Sequence, residues 1–266
     1  MKNTIDFLVK CLLFTFSNLL LVSIVHANCD RPLVMGYEDY GSFLILDENK
    51  KITGGLDFEI MESAFKIMGC KLEWEHLPWK RLLKEVKDGR RDLASGANAT
   101  DERAEWSYFS ESYREAYNAL FIRPEDAKRI VLSDLGDLTN TEFKVSAQRG
   151  SYLGKEYAEL SKNPKFMERI YEVNTDEIAF KMLKKKRLDG VLMNIYTGKT
   201  IAKKVGMKVN VHPNINLKKK KYIVLFSKKS TNKDLVSKFN KALKKMHSDG
   251  TIKKLMAKYF SVQSPQ

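Results

Sequence analysis

The chain has 266 residues, 43% of them hydrophobic and 11% aromatic, with 14 Gly and only 6 Pro. That composition builds one or two packed domains and excludes collagen-like and disordered classes. The formal charge of +14 brings nucleic acid to mind, but its meaning depends on compartment and on where the charge sits. Residues 1–27 begin with Lys2 and Lys10, run through an apolar stretch from Cys11 to Val25 and end in Val25-His26-Ala27. A basic start, an apolar middle and small residues at the cut are the pattern of a secretory signal peptide, here cleaved near Ala27. Ser17 and Asn18 interrupt the stretch and leave it short of the ~20 apolar residues a spanning helix needs. Asn28 before Cys29 is not the small residue that similarity to lipid-anchor signals would require. Export predicts a periplasmic protein carrying a net charge of +13.

Along the exported chain the elements alternate. Pro32 to Tyr37 reads as a strand, and Asp57 to Met68 as an amphipathic helix with Ile60, Ala64, Phe65 and Met68 on one face. That helix is entered through Gly54-Gly55 and left through Gly69. Lys71 to Leu77 reads as a strand, Trp79 to Asp88 as a helix, and Asp92 to Gly96 as a short buried strand. This order predicts a mainly parallel sheet with helical crossovers. After a strand at Tyr117 to Arg123 the pattern restarts: strand Lys144 to Gln148, helix Tyr152 to Lys162, strand Ile170 to Val173, helix Asp176 to Lys186, strand Gly190 to Met193. A strand at Tyr222 to Phe226 follows, then helices from Asn232 to His247 and from Thr251 to Tyr259. Two α/β units therefore stand in series. Cys29 and Cys70 lie in an oxidising compartment and form either one disulfide or two buried thiols, while His76, His212 and His247 show no metal-ligand spacing beside them.

Several motifs occur in order. They are Gly55-Leu-Asp-Phe-Glu59 and Leu77-Pro78-Trp79 at helix starts, Gly96-Ala-Asn-Ala-Thr100-Asp-Glu-Arg103, Phe109-Ser-Glu-Ser-Tyr113, Gln148-Arg-Gly-Ser151, Leu188-Asp189-Gly190 and Asp249-Gly-Thr251. Together they resemble the bacterial extracellular solute-binding proteins of the polar-amino-acid type, over essentially the whole exported chain. The resemblance implies a two-lobed periplasmic-binding-protein fold of type II. Each lobe would be a mainly parallel sheet flanked by helices, joined by two crossing hinge strands, with a ligand trapped between. On that basis lobe one takes residues 28–121 and 224–266, and lobe two takes 122–223. In the family's sheet the first two strands are neighbours, which implies a Cys29–Cys70 bridge.

The resemblance also assigns a site. Arg103 is the fork that grips a ligand carboxylate, Asn98 a donor to the same group, and Tyr40 and Trp79 the aromatic walls. Gly150 and Ser151 precede a helix and can meet an anion there. Counting five residues from Asp189, where amino-acid binders carry an aspartate for the ligand ammonium, lands on neutral Asn194. With Arg149 adding positive charge, and Glu38 or Asp39 the nearest acidic substitutes, a ligand that is anionic or weakly cationic is expected. Residues 122–223 hold 22 Lys and Arg against 12 Asp and Glu, and the tail from 224 holds 10 against 2. This excess lies on helix faces without interleaved aromatics, so no nucleic-acid partner is expected. The function implied is delivery of a small carboxylate-bearing ligand to an inner-membrane ABC permease by a monomer without cofactor, metal or catalytic set. An exported sensor module and a dehydratase on the same fold are the alternatives.

Overall fold

The structure, a computed structural model, describes residues 29–260; the expected signal peptide lies outside the described residues. The first unit contains β1 (Leu33–Tyr37), a hairpin of β2 (Ile45–Leu46) and β3 (Ile52–Gly54), α1 (Leu56–Met68), β4 (Leu72–His76), α2 (Trp79–Asp88), β5 (Leu93–Ala97), α3 (Asp101–Trp106), β6 (Ser107–Phe109) and β7 (Arg114–Ala116). The second contains β8 (Asn118–Ile122), β9 (Val145–Gln148), α4 (Lys155–Leu160), α5 (Pro164–Met167), β10 (Ile170–Val173), α6 (Asp176–Lys184), β11 (Gly190–Asn194), α7 (Ile195–Lys204) and β12 (Asn210–Asn216). The chain then returns through β13 (Lys220–Ser227) to α8 (Lys233–Ser248) and α9 (Thr251–Phe260) against the first unit.

Strand order in the first sheet is β4-β1-β5-β13-β6, with β7 also on β13; in the second it is β10-β9-β11-β8-β12. The pairs β1–β4, β1–β5, β9–β10 and β9–β11 are parallel, while the strands next to each crossing pair antiparallel. This is the two-lobed type II architecture. The chain leaves the first sheet between Ala116 and Asn118 and returns between Asn216 and Lys220. The boundaries expected from sequence, 121/122 and 223/224, fall inside β8 and β13, because an apolar strand shows its length but not which sheet it joins.

Each lobe has its own core. In lobe one, α1 buries Ile60, Met61, Ala64, Phe65 and Met68, and α8 buries Phe239, Leu243 and Met246. Phe65 and Phe226 meet Phe239 at ring separations of 5.3 and 5.5 Å. Burial of each such side chain contributes about 1.5 to 3 kcal/mol. In lobe two, β8 splits by the two-residue strand period: Leu120 and Ile122 join one apolar cluster, Ala119 and Phe121 the other. Gly198 of α7 lies so close to Phe121 that a Cβ there would stand 2.2 Å from the ring, so helix and sheet meet without a side chain between them. Cys29 and Cys70 are bridged, with Cα atoms 5.4 Å apart, just ahead of the parallel pair that begins at Leu33 and Leu72.

Several segments differ from the sequence reading, among them β2, β3, β6, β7 and β12, for which it gives no strand, and two of the differences bear on the cleft. The helix expected from Tyr152 starts only at Lys155, because Tyr152 and Leu153 turn into the space between the lobes and Gly154 takes a φ of 120°. Residues 195–204, for which no element was predicted, form α7. Tyr, Gly and two Thr in that run favour a helix weakly; the Asn194 side chain caps it, accepting from Tyr196 N at 3.0 Å and Thr197 N at 3.3 Å.

Candidate ligand-binding site

Between the lobes lies a cavity of about 70 Å³ walled by Tyr40, Trp79, Asn98, Arg103 and Arg114 from lobe one and by Ser151, Asp176, Asn194 and Thr197 from lobe two. The lobes touch around it. Trp79 Nε1 donates to Gly150 O at 3.2 Å, Gln148 Nε2 to Glu38 Oε2 at 2.7 Å, Thr197 Oγ1 to Tyr40 O at 3.1 Å and Lys204 Nζ to Asp39 Oδ2 at 2.8 Å. This is a closed arrangement.

Arg103 is placed by α3, whose cap Thr100 accepts from Arg103 N. Its Nη1 donates to Asn98 O at 2.8 Å and its Nη2 crosses the cleft to Gly150 O at 3.0 Å. It is 5% exposed and forms an ion pair with none of the described residues. Burial lowers its pKa, yet a guanidinium stays charged in proteins. A buried cation held only by carbonyls is an incomplete site, since charges leave water at a cost of several kcal/mol unless an anion joins them. The rings of Tyr40 and Trp79 meet edge to face at 6.0 Å and 73°, and Arg103 stands 5.6 Å from the Trp79 ring.

The remaining predicted residues are distributed unevenly. Asn98 and Ser151 line the cavity, but Asn98 Nδ2 donates to Lys221 O at 2.9 Å and Ser151 Oγ donates to Gln148 Oε1 at 2.9 Å. No helix starts beside Gly150, so its neighbours offer no helix terminus to an anion; its carbonyl faces the cleft instead. Asn194 is occupied at both ends, capping α7 and donating to the Tyr222 hydroxyl at 3.1 Å. Glu38 sits behind Trp79, accepting from Trp79 N at 3.0 Å as well as from Gln148. It lines a neighbouring cavity of about 270 Å³ rather than the central one. Arg149, expected against the ligand, lies outside the cavity: just past β9, it donates at 3.2 Å to Glu172 of β10 and to Asn174 just past that strand. Gln148, the last residue of β9, faces the cleft, so Arg149 one step on is turned away from it, and a turn at Gly150, φ 82°, brings Ser151 back to the cavity wall.

Two charged cleft residues escaped the sequence reading. Arg114 is clamped by Asp57 through Nε at 2.6 Å and Nη2 at 2.9 Å, and lies between the Phe43 and Tyr222 rings at 3.7 and 3.9 Å. Its buried Nη1 has no partner. An acid inside the apolar face of α1 was the available clue, since a buried Asp requires a partner. Asp176, first residue of α6, is 8% exposed and lines both cavities. Burial, with Asp39 nearby, raises its carboxyl to about 7. In sequence it looks like an ordinary acidic helix start.

The sequence profile of the bacterial extracellular solute-binding proteins, family 3, matches residues 33–262. The chain is 30% identical over 215 residues to the probable amino-acid-binding protein YxeM of Bacillus subtilis, covering 80% of this chain and 78% of that one. It is 27% identical over 234 residues to the arginine-binding extracellular protein ArtP of the same organism, covering 87% of each. An ancestral arginine-binding protein solved with arginine bound superposes with a TM-score of 0.74 at 26% identity, covering 86% of this chain and 98% of its own. With the profile match running through both lobes and a closed cleft between them, the chain belongs to the bacterial extracellular solute-binding proteins, family 3.

Proposed function

We propose that the protein is an exported monomer that closes its lobes over a small amino acid and delivers it to an inner-membrane ABC permease. The observation that carries this reading is Arg103, a guanidinium buried in a closed cleft, whose only hydrogen bonds among the described residues are to the carbonyls of Asn98 and Gly150. A ligand carboxylate supplies the charge such a group lacks, and an Arg fork receives it in two parallel bonds. Tyr40 and Trp79 give the ligand an apolar wall. The names of the relatives agree with an amino acid as the bound solute. The sequence had pointed to an anionic or weakly cationic ligand through Arg149 and the neutral Asn194. With Arg149 outside the cavity and Asp176 in its wall, that reason falls away. Mass spectrometry of what is released when freshly purified protein is denatured tests the proposal: a stoichiometric amino acid is expected. Release of nothing, with no standard amino acid raising the melting temperature, would count against it, because a ligand of the native state stabilises by mass action.

A further inference from the structure

The α-carboxylate of an amino acid has its partner in Arg103, but the same α-carbon also carries a charged ammonium. An ammonium shut away from water needs an acceptor, preferably a carboxylate. Four acidic side chains approach the cleft from described residues, and three are committed. Asp57 is held by Arg114 and by the Tyr113 hydroxyl, donating at 2.6 Å. Asp39 is paired with Lys204. Glu38 accepts from Trp79 N and Gln148 and does not line the central cavity. Asn194, at the position expected to face the ammonium, has spent its oxygen on two amides of α7.

Asp176 differs from all of these. It lines the central cavity, and among the described residues its carboxylate receives no hydrogen bond and no cation. It is held in place by its backbone: Thr175 caps α6, and that helix packs on β10, β11 and α7. It also shares the wall of that one cavity, about 70 Å³, with Arg103. We propose that Asp176 receives the α-ammonium of the bound amino acid, a role moved from the end of β11 to the start of α6. This rests on the amino-acid reading above. Arg103 and Asp176 then form a cation and an anion on opposite lobes, and a zwitterion completes both only when the lobes are shut.

The test is calorimetric titration with each standard L-amino acid and with the 2-hydroxy acid of the same side chain, which keeps the carboxylate and loses the ammonium. The best amino acid is expected to bind wild type about 30-fold or more tightly than its hydroxy acid, and Asp176→Asn should erase most of that ratio by weakening only the amino acid. Asp176→Ser serves as a second variant and should erase the ratio in the same way. If wild type binds amino acids and Asp176→Asn leaves the ratio unchanged, or weakens both partners alike, the assignment to Asp176 is overturned while the amino-acid reading stands. If wild type binds hydroxy acids but no amino acid, the reading itself fails and Asp176 falls with it.

Discussion

At the scale of single residues, two buried charges shape the cleft in different ways. Arg103 faces the space a ligand would fill, so Arg103→Ala should reduce affinity for a bound amino acid by ~2 to 5 kcal/mol with a far smaller effect on melting temperature. Calorimetry on the two proteins checks this, and equal affinities would remove Arg103 from the site. Glu38 acts on stability instead. Its Oε1 is buried without a partner, and burial, with the charge of Asp176, raises its carboxyl to about 8, against about 4.3 in an unfolded chain. Between those values the folded state holds the proton more tightly. Its contribution is therefore fully present below the unfolded value and is lost as pH rises toward 8. Glu38→Gln should flatten that decline and gain on the order of 4 kcal/mol at pH 8 relative to pH 4. Thermal unfolding at the two pH values reads the difference, and an equal shift at both would contradict it. The sequence exposed Arg103, Tyr40 and Trp79 because each sits within a recognisable run. It concealed Asp176 and Arg114, whose roles come from contacts made by elements far apart in the chain.

At the scale of elements, period and punctuation made most of the fold readable. α1 and α2 both end at a glycine with positive φ, Gly69 at 71° and Gly89 at 80°, and Gly is the residue that adopts that conformation without strain. Helix α2 was placed from Trp79 to Asp88 and occupies those residues. The exceptions have physical causes. β6 and β7 have three residues each, too short to show alternation, and exist because β13 offers them an edge. α7 depends on an Asn cap and on the close approach of Gly198 to Phe121, neither of which leaves an apolar stripe. The disulfide links two elements that pairing alone holds weakly at their ends. It closes 41 residues between β1 and β4, and its loss in Cys29→Ser with Cys70→Ser should destabilise lobe one by ~3 to 4 kcal/mol on the chain-entropy account. Denaturant unfolding of oxidised wild type against the double variant measures this, and a midpoint that does not move would show that the bridge constrains nothing.

At the scale of the whole molecule, the two lobes meet through two kinds of contact. One kind surrounds the cavity and involves Arg103, Trp79 and Gly150. The other lies to one side, where the segment 39–44 packs on α7. There Ser42 Oγ and Thr200 Oγ1 are 2.9 Å apart, and Tyr196 meets Phe43 edge to face and Phe260 at a tilt, at ring separations of 6.0 and 4.6 Å. Only the crossings at Tyr117 and at residues 217–219 connect the sheets covalently, so opening is a rotation about those points that breaks both sets of contacts together. The side contact requires no ligand. Its polar part is modest, since hydrogen bonds at a solvated edge contribute about 0.5 to 1.5 kcal/mol each. On the proposed function, a bound amino acid deepens closure by pairing with Arg103. Because Ser42 and Thr200 lie on opposite lobes with their hydroxyls 2.9 Å apart, Ser42→Cys with Thr200→Cys should give a bridge that locks the lobes. The oxidised variant, loaded with a radiolabelled amino acid before bridging, should hold it through dialysis and release it on reduction. Bridged protein that exchanges its ligand as fast as reduced protein would mean that ligand reaches the cleft without the lobes parting, and the hinged description would have to be abandoned.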